Sequence, residues 1–224
     1  MQSPLTFFFA FVVVLALIGL ATWLVRRFAG NRLGGSGPNR GRMPRLAVID
    51  SGDELIAGGS DCAPHQIPAS NGAMLAALAA QVPCQVERLG PVADTMEAIA
   101  AVLARADGAD LIVTSGGASV GDHDLIRPAL EAWGAKIDFW RIAIKPGKPL
   151  LIATRGQQII LGLPGNPVSS HVTAFLFMLP LLRALLGAAE PLPRLIHSTL
   201  TAPLKAGGSR REFLRAQWDG RSVT

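Results

Sequence analysis

Three segments in the second half of the chain mix glycine, proline and short polar side chains directly after an apolar run. These segments are Ser115–Asp124, Lys145–Pro149 and Gly162–Ser170. A chain that leaves an apolar strand in this way builds a polar loop whose backbone amides can face a ligand. At the carboxyl edge of an open α/β sheet, such loops bind anionic ligands. Each segment also has an ordinary structural interpretation, as a glycine turn, a solvated basic turn or a strand-to-helix turn.

The first of these segments carries the clearest chemistry. Its glycines let a ligand approach the backbone closely. They are Gly116, Gly117 and Gly121. The amides of such a loop, followed by a helix, favour phosphate, although the segment matches neither a Walker loop nor a dinucleotide-binding loop. The acid pair Asp122 and Asp124 adds oxygen donors beside these amides, and that combination suits Mg²⁺.

The other two segments supply cations and hydroxyl donors. Lys145 and Lys148 sit on a turn that two prolines and a glycine make stiff. Lysine binds phosphate or another oxyanion as a point charge. Gly162–Ser170 joins a strand to a long helix, and Ser169 and Ser170 would add donors near the amino end of that helix. The sequence therefore predicts an anion site built from three loops.

Strands and helices alternate around these segments. Continuous apolar runs such as Leu111–Thr114 are typical of strands that are buried on both faces. The predicted strands are Arg45–Asp50, Val86–Leu89, Leu111–Thr114, Ile137–Ile144, Leu150–Ala153 and Gln158–Leu161. Two helices are expected to be capped by Ser70 and Asp94, and two more to cover Leu125–Trp133 and Val168–Leu186. This order predicts an α/β fold with a doubly wound, mostly parallel sheet.

The positive charge of the chain is concentrated near its amino terminus. The formal net charge is +5, but six arginines precede the first acid, Asp50. The rest of the chain carries 15 basic and 16 acidic residues. Since the remaining domain is close to neutral, we expect no nucleic-acid partner.

The amino-terminal region is predicted to span a membrane. Leu5–Val25 are 21 consecutive uncharged residues, about the length that crosses a bilayer as a helix. Arg26 and Arg27 follow the span, which predicts an outside amino terminus and a cytoplasmic domain. We therefore expect a single-pass anchor in the inner (plasma) membrane over residues 1–26 and a basic, glycine-rich linker over residues 27–44. The domain would be cytosolic if the amino-terminal segment were an artefact.

Five motifs, in order and with compatible spacing, resemble the molybdopterin molybdenumtransferase family, which includes MoeA and the gephyrin E domain. The motifs are Gly52–Leu55, Ser70–Asn71, Thr114–Asp124, Phe139–Pro149 and Gly162–Ser169. The resemblance implies a MogA-like molybdopterin-binding domain over residues 45–188. Ser209–Leu214 resembles the start of the family's carboxy-terminal β-barrel domain. We therefore expect residues 189–224 to be a truncated beginning of that domain.

The resemblance also implies a reaction. Adenylylated molybdopterin and molybdate would give the molybdenum cofactor and AMP, assisted by Mg²⁺ and without a covalent nucleophile. Glu54, Asp94 and Asp124 match the family's functional acids, and Lys145 matches its active-site lysine. Arg141 stands where a second lysine is common, which keeps the charge but changes its geometry.

The remaining expectations for the site follow from the same resemblance. Asp124, Glu54 and Asp122 are expected to hold the magnesium. The residues expected to bind substrate are Ser115, Gly116, Gly117, Ser119, Gly121, Lys148, Pro164, Asn166, Pro167 and Ser169. Family members are homodimers, so the resemblance implies a dimer here as well.

The chain departs from the family's pattern at both ends. Family members carry two further amino-terminal domains that contribute to dimerisation and to the active site. The first 49 residues instead resemble a small flagellar membrane protein of the FliO type. Two other functions are therefore consistent with the sequence: a module that binds molybdopterin without turnover, and a membrane accessory protein that carries this domain as a passenger.

Overall fold

The computed structural model describes residues 42–116, 125–205 and 207–224 of the chain. The predicted membrane span and most of the predicted linker lie outside the described residues. Five predicted site residues also lie outside them, namely Gly117, Ser119, Gly121, Asp122 and Asp124.

One mixed sheet organises the domain. The strands of the described residues are, in chain order, β1 (Arg45–Asp50), β2 (Leu55–Ile56), β3 (Ile67–Pro68), β4 (Gln85–Arg88), β5 (Leu111–Ser115), β6 (Lys136–Trp140), β7 (Ile144–Lys145), β8 (Leu151–Arg155), β9 (Gln158–Leu163), β10 (Thr199–Leu200), β11 (Arg211–Glu212) and β12 (Ser222–Val223). The large sheet has six strands in the order β4-β1-β5-β9-β8-β6. Neighbours from β4 to β9 are parallel, whereas β8 runs antiparallel to both β9 and β6. The predicted α/β class is therefore confirmed, and the sheet is mixed.

Helices cover both faces of this sheet. They are α1 (Asn71–Ala79), α2 (Met96–Arg105), α3 (Ile126–Ala132), α4 (Pro167–Thr173) and α5 (Leu179–Leu185). A π-helical turn, Ala174–Met178, joins α4 to α5 without a break. One core cluster contains residues of α1, the π-helical turn and α5, and the other contains residues of α2 and α3. The sheet is therefore wound on both faces.

Alternation along the buried strands explains why the sheet has two cores. In β1, Leu46 and Val48 join the cluster under α1, whereas Ala47 and Ile49 join the cluster under α2. Successive side chains of a strand point to opposite faces, so a strand buried on both sides needs apolar residues at every position. This requirement accounts for the continuous apolar runs of the sequence.

The long apolar helix at residues 167–185 is the one helix of the described chain whose length and hydropathy would suit a membrane span. Its inward residues lie in the core of the domain. Ala174, Met178, Leu179 and Leu182 are each 0% exposed and pack in the cluster beneath α1. The apolar face is therefore explained by packing against the sheet, as expected for an amphipathic core helix.

Two predicted helix caps differ from the structure. The expected cap Asp94 is wrong, because Thr95 occupies the N-cap of α2 and its hydroxyl accepts a hydrogen bond from the Ala98 amide at 3.2 Å. Ser70 does stand at the N-cap of α1, but its side chain makes no capping hydrogen bond.

The predicted strand Ile137–Ile144 is two strands. β6 ends at Trp140 and β7 begins at Ile144. Arg141 lies between them with a φ of 78°, a left-handed backbone conformation that interrupts extended structure.

The carboxy-terminal segment after α5 has little regular structure. β10 and β12 pair with each other as a short parallel ladder. β11 instead pairs with β7 of the α/β domain. The structure thus places one short strand of this segment directly against the loop that carries Lys145.

Leu161 allows a test of the core. The side chain is 0% exposed in β9, at the centre of the sheet. We expect Leu161→Ala to lower the free energy of unfolding by about 2–5 kcal/mol, because the substitution removes buried methyl groups and leaves a cavity. Urea denaturation measures the change. Leu195→Ala, at a position that is 76% exposed, is the control and should change stability by less than about 0.5 kcal/mol.

Candidate functional site at the carboxyl edge of the sheet

Three loops meet where β1, β5 and β9 end. The carbonyl of Ser115 accepts a hydrogen bond from the Ser51 amide at 3.1 Å, so the loops after β1 and β5 start side by side. Gly116 has a φ of +97°, and a Cβ on it would collide with the Ser51 carbonyl oxygen. An ideal Cβ on Gly165 would lie 3.6 Å from the Cα of Gly116. Glycine is required at position 116 because backbone occupies the space of a side chain.

Asn71 ties two of these loops to α1. Its amide nitrogen donates to the Ser115 hydroxyl and to the Gly165 carbonyl, at 2.7 Å each. One side chain at the start of α1 therefore holds the ends of β5 and β9 together. The sequence identifies Asn71 only as part of a motif. Its two hydrogen bonds could not be predicted, because both partners are distant in the sequence.

A cleft of about 120 Å³ opens among these loops. Ser115 and Gly116, both predicted to bind substrate, line it together with Glu54 and Pro167. Its floor includes the buried Asp50 at the end of β1. The structure therefore brings four predicted site residues to one cleft at the carboxyl edge.

Acidic side chains gather on the β1 and β4 side of the cleft. The Asp53 carboxylate accepts a hydrogen bond from the Asp94 amide at 2.9 Å. Burial raises the pKa of Asp94, and the charges of Asp53 and Glu54 raise it further, against smaller lowering effects that include the Ser51 hydroxyl. Within the described ranges, no group of three or more His, Cys, Asp and Glu side chains is arranged to hold a metal ion.

Asp50 is a buried acid that sequence reasoning did not select. It is 4% exposed, and one carboxylate oxygen accepts a hydrogen bond from the Gly72 amide at 2.9 Å. Burial raises its pKa, while that hydrogen bond and the charge of Arg88 lower it in part. The carboxyl group thus joins the end of β1 to the first turn of α1.

The basic residues lie at the same edge but farther along the sheet. The connection between β6 and β8 carries Lys145, in β7, and Lys148. Since β8 is antiparallel to β9, this connection also lies at the carboxyl edge. Two strands, β5 and β9, separate β1 from β8, which corresponds to a lateral distance of about 14 Å. Among the described residues, the lining of the cleft includes none of Lys145, Lys148 and Arg141, so these basic residues share the edge with the cleft but lie outside its wall.

Each basic side chain has its own surroundings. The Lys145 ammonium lies 3.2 Å from a carboxylate oxygen of Glu212. Arg141 places its guanidinium 4.4 Å from the centroid of the Trp140 ring. Lys148 is exposed to solvent.

Part of the Gly162–Ser170 segment serves to start helix α4. Asn166 caps α4, since its side-chain oxygen accepts a hydrogen bond from the Ser169 amide at 3.0 Å. Pro167 follows as the first residue of the helix, where a missing amide hydrogen is harmless. Pro164 is buried beside β9. The substrate-binding roles of Pro164, Asn166, Pro167 and Ser169 stay predictions.

The fold and this edge define a doubly wound α/β domain with a polar cleft at the carboxyl ends of its central strands. Residues 47–184 match the protein family described as "Probable molybdopterin binding domain". The chain belongs to this family, and its resemblance to the molybdopterin molybdenumtransferases is confirmed.

Individual relatives agree with this assignment. A molybdopterin molybdenumtransferase from Nostoc sp. is 40% identical over 66% of this chain and 35% of its own length. One from Haemophilus influenzae is 36% identical over 78% of this chain and 43% of its own length. The crystal structure of the molybdopterin biosynthesis MoeA protein from Pyrococcus horikoshii superposes with a TM-score of 0.70 and 30% identity, over 81% of this chain and 44% of that one. The chain thus spans less than half the length of these relatives.

Asn71 offers a test of how the loops are held. Asn71→Ala removes both hydrogen bonds and leaves the Gly165 carbonyl and the Ser115 hydroxyl without this donor. We expect the free energy of unfolding to fall by about 1–3 kcal/mol. Thermal or urea unfolding measures the loss. Asn166→Ala, which removes a helix cap instead, is the comparison and should leave hydrogen exchange of the Ser115 and Gly116 amides unchanged, whereas Asn71→Ala should accelerate it.

Asp94 offers a test of the acidic cluster. The pKa of Asp94 is raised in the folded state, so between the ordinary and the raised pKa this carboxyl group binds more protons in the folded than in the unfolded protein. The free energy of unfolding therefore decreases as the pH rises through this range. Asp94→Asn should remove this decrease and stabilise the protein at neutral pH by less than about 1 kcal/mol, since the group is only half-buried. Urea denaturation between about pH 4 and pH 7 measures both effects. An equal gain from Asp61→Asn, in an exposed loop, would contradict this assignment.

Proposed function

We propose that this chain takes part in molybdenum cofactor biosynthesis by inserting molybdate into adenylylated molybdopterin, with release of AMP. Support comes from the relatives, which are named molybdopterin molybdenumtransferases and match the chain over residues that include the cleft. The single observation that carries the proposal is the meeting of the loops after β1, β5 and β9 at one cleft. An anionic, nucleotide-bearing substrate fits an edge of this kind.

The chemistry that we assign to the described residues is binding and charge stabilisation. The backbone around Ser115 and Gly116 is close enough to the cleft to donate to an anionic group. Lys145, Lys148 and Arg141 would supply positive charge to molybdate, a tetrahedral dianion. Preorganised donors of this kind stabilise the charge that develops on a leaving phosphate without forming a covalent bond to the substrate.

Magnesium is part of this proposal. Glu54, Asp122 and Asp124 are the residues that would hold it, and Glu54 lies among acids whose charges raise the pKa of Asp94. Such an accumulation of negative charge fits a hard divalent cation, which oxygen ligands bind. When bound, the ion would neutralise phosphate charge as AMP departs. Two of these three proposed ligands, Asp122 and Asp124, lie outside the described residues.

The assembly and the location of the protein are also proposals. We infer a homodimer from the family resemblance. We further infer that the apolar residues 5–25 anchor the domain to the cytoplasmic face of the inner membrane, because a long uncharged run precedes a pair of arginines.

AMP release tests the proposed function. The full chain is incubated with adenylylated molybdopterin, molybdate and Mg²⁺, and AMP is quantified with and without each component. Release that requires all three supports the enzyme. Binding of adenylylated molybdopterin, measured by calorimetry, without any AMP release would instead support a non-catalytic binding module. If the chain neither bound adenylylated molybdopterin nor released AMP, the result would favour a membrane accessory protein.

Lys145→Ala is the most direct test of the site. Loss of one preorganised cationic donor should reduce the rate of AMP release by about 100-fold. Lys136→Ala is the matched control, since Lys136 is an exposed lysine at the start of β6, at the opposite edge of the sheet. Equal activity of the Lys145→Ala protein and the wild type would show that Lys145 does not belong to the active site.

A further inference from the structure

The carboxy-terminal segment reaches the site through one short strand. β11 lies parallel to β7, with Arg211 opposite Ile144 and Glu212 opposite Lys145. The Arg211 amide donates to the Ala143 carbonyl at 2.9 Å, and the Phe213 amide donates to the Lys145 carbonyl at 2.7 Å. Backbone hydrogen bonds on both sides of Glu212 therefore fix where its side chain begins.

Phe213 anchors this strand to the domain. Its ring packs against the core cluster that contains residues of α1 and α5. Glu212 is thus held by a backbone ladder and by an apolar contact beside it, although the rest of the segment is largely exposed. The position of its carboxylate depends on the α/β domain itself.

This carboxylate is paired with the lysine of the proposed site. The Lys145 ammonium lies 3.2 Å from Glu212, and the two side chains are 56% and 28% exposed, respectively. Lysine has a flexible four-carbon stem, so an exposed ammonium without a partner samples many positions. An ammonium group has three N–H donors, and one bond to Glu212 leaves two for another acceptor.

We propose that Glu212 is a positioning residue for Lys145, through which the carboxy-terminal segment holds the lysine ammonium ready for an oxyanion at the carboxyl edge of the sheet. The inference rests on the proposed function, because that function makes Lys145 part of the site. Glu212 itself does not touch the substrate. The ion pair restricts the Lys145 side chain before the anion binds, and this lowers the entropy cost of ordering that side chain on binding.

Kinetics of AMP release provide the first test. Glu212→Gln should lower kcat/KM for molybdate about fivefold and leave KM for adenylylated molybdopterin nearly unchanged. Glu212→Asp, which keeps the charge on a shorter side chain, should recover part of the loss. Asp107→Asn is the matched control, since it removes the carboxylate of another exposed ion pair, with Arg155, at the far edge of the sheet. An unchanged or increased kcat/KM for molybdate in the Glu212→Gln protein would overturn the proposal and identify Glu212 as a counter-ion that opposes anion binding.

Amine labelling provides a second test that needs no turnover. The full chain is treated with acetic anhydride, and acetylation of each lysine is followed by mass spectrometry. Glu212→Gln should speed acetylation of Lys145 and leave Lys136 unchanged, and molybdate should protect Lys145 more in the wild type than in the variant. Equal labelling or equal protection of Lys145 in both proteins would refute the positioning role. If the wild type released no AMP but Lys145 behaved as expected, the proposed function would fail while the positioning role would stand.

Discussion

The close approach of backbone to backbone at the carboxyl edge is the constraint on which the rest of the site depends. The loop after β5 passes directly over the Ser51 carbonyl, and the loop after β9 passes directly over Gly116. Any side chain at position 116 would separate these loops. With no side chain between them, the ends of three parallel strands form one continuous polar surface instead of three separate turns.

This arrangement has a cost in stability that is local and identifiable. Asp50 is buried at the end of β1, and Asp94 is surrounded by other acids, so the pKa of each is raised. Both carboxyl groups oppose folding at neutral pH relative to neutral side chains of the same shape. The two apolar cores on either side of the sheet offset this cost, because the central strands bury apolar side chains on both faces. Carboxyl groups with raised pKa values of this kind are common at ligand-binding sites.

The sequence predicted the elements of the fold better than their ends. The buried strand Leu111–Ser115 was predicted to within one residue, as Leu111–Thr114, because a continuous apolar run has few other interpretations. The break at Arg141 was not evident, because nothing about arginine indicates a left-handed backbone. The cap of α2 was misplaced by one residue, from Asp94 to Thr95, since both residue types are good caps and only the local geometry selects between them.

Beyond what the family resemblance implied, the site was predictable only in its glycine-rich and lysine-rich loops. Local composition indicated that Ser115, Gly116 and Lys145 would lie in polar turns after strands. The contacts of Asn71 with Gly165 and of Glu212 with Lys145 join residues that are 94 and 67 positions apart. No periodicity or spacing rule addresses such pairs, because they arise from the order of strands in the sheet and from where a distant segment returns.

Because β8 is antiparallel to β9, the turn that joins them lies at the rim opposite the cleft. Because β8 and β9 form a hairpin, the connections before the first strand and after the second both lie at the rim that holds the cleft. The turn between them, at Gly156, lies at the opposite rim and has a left-handed φ of +57° with open space around it. Insertions or fused tags at such a surface turn are well tolerated. The domain can therefore acquire a new appendage there, within a single hairpin, while both of its ligand-facing connections keep their lengths.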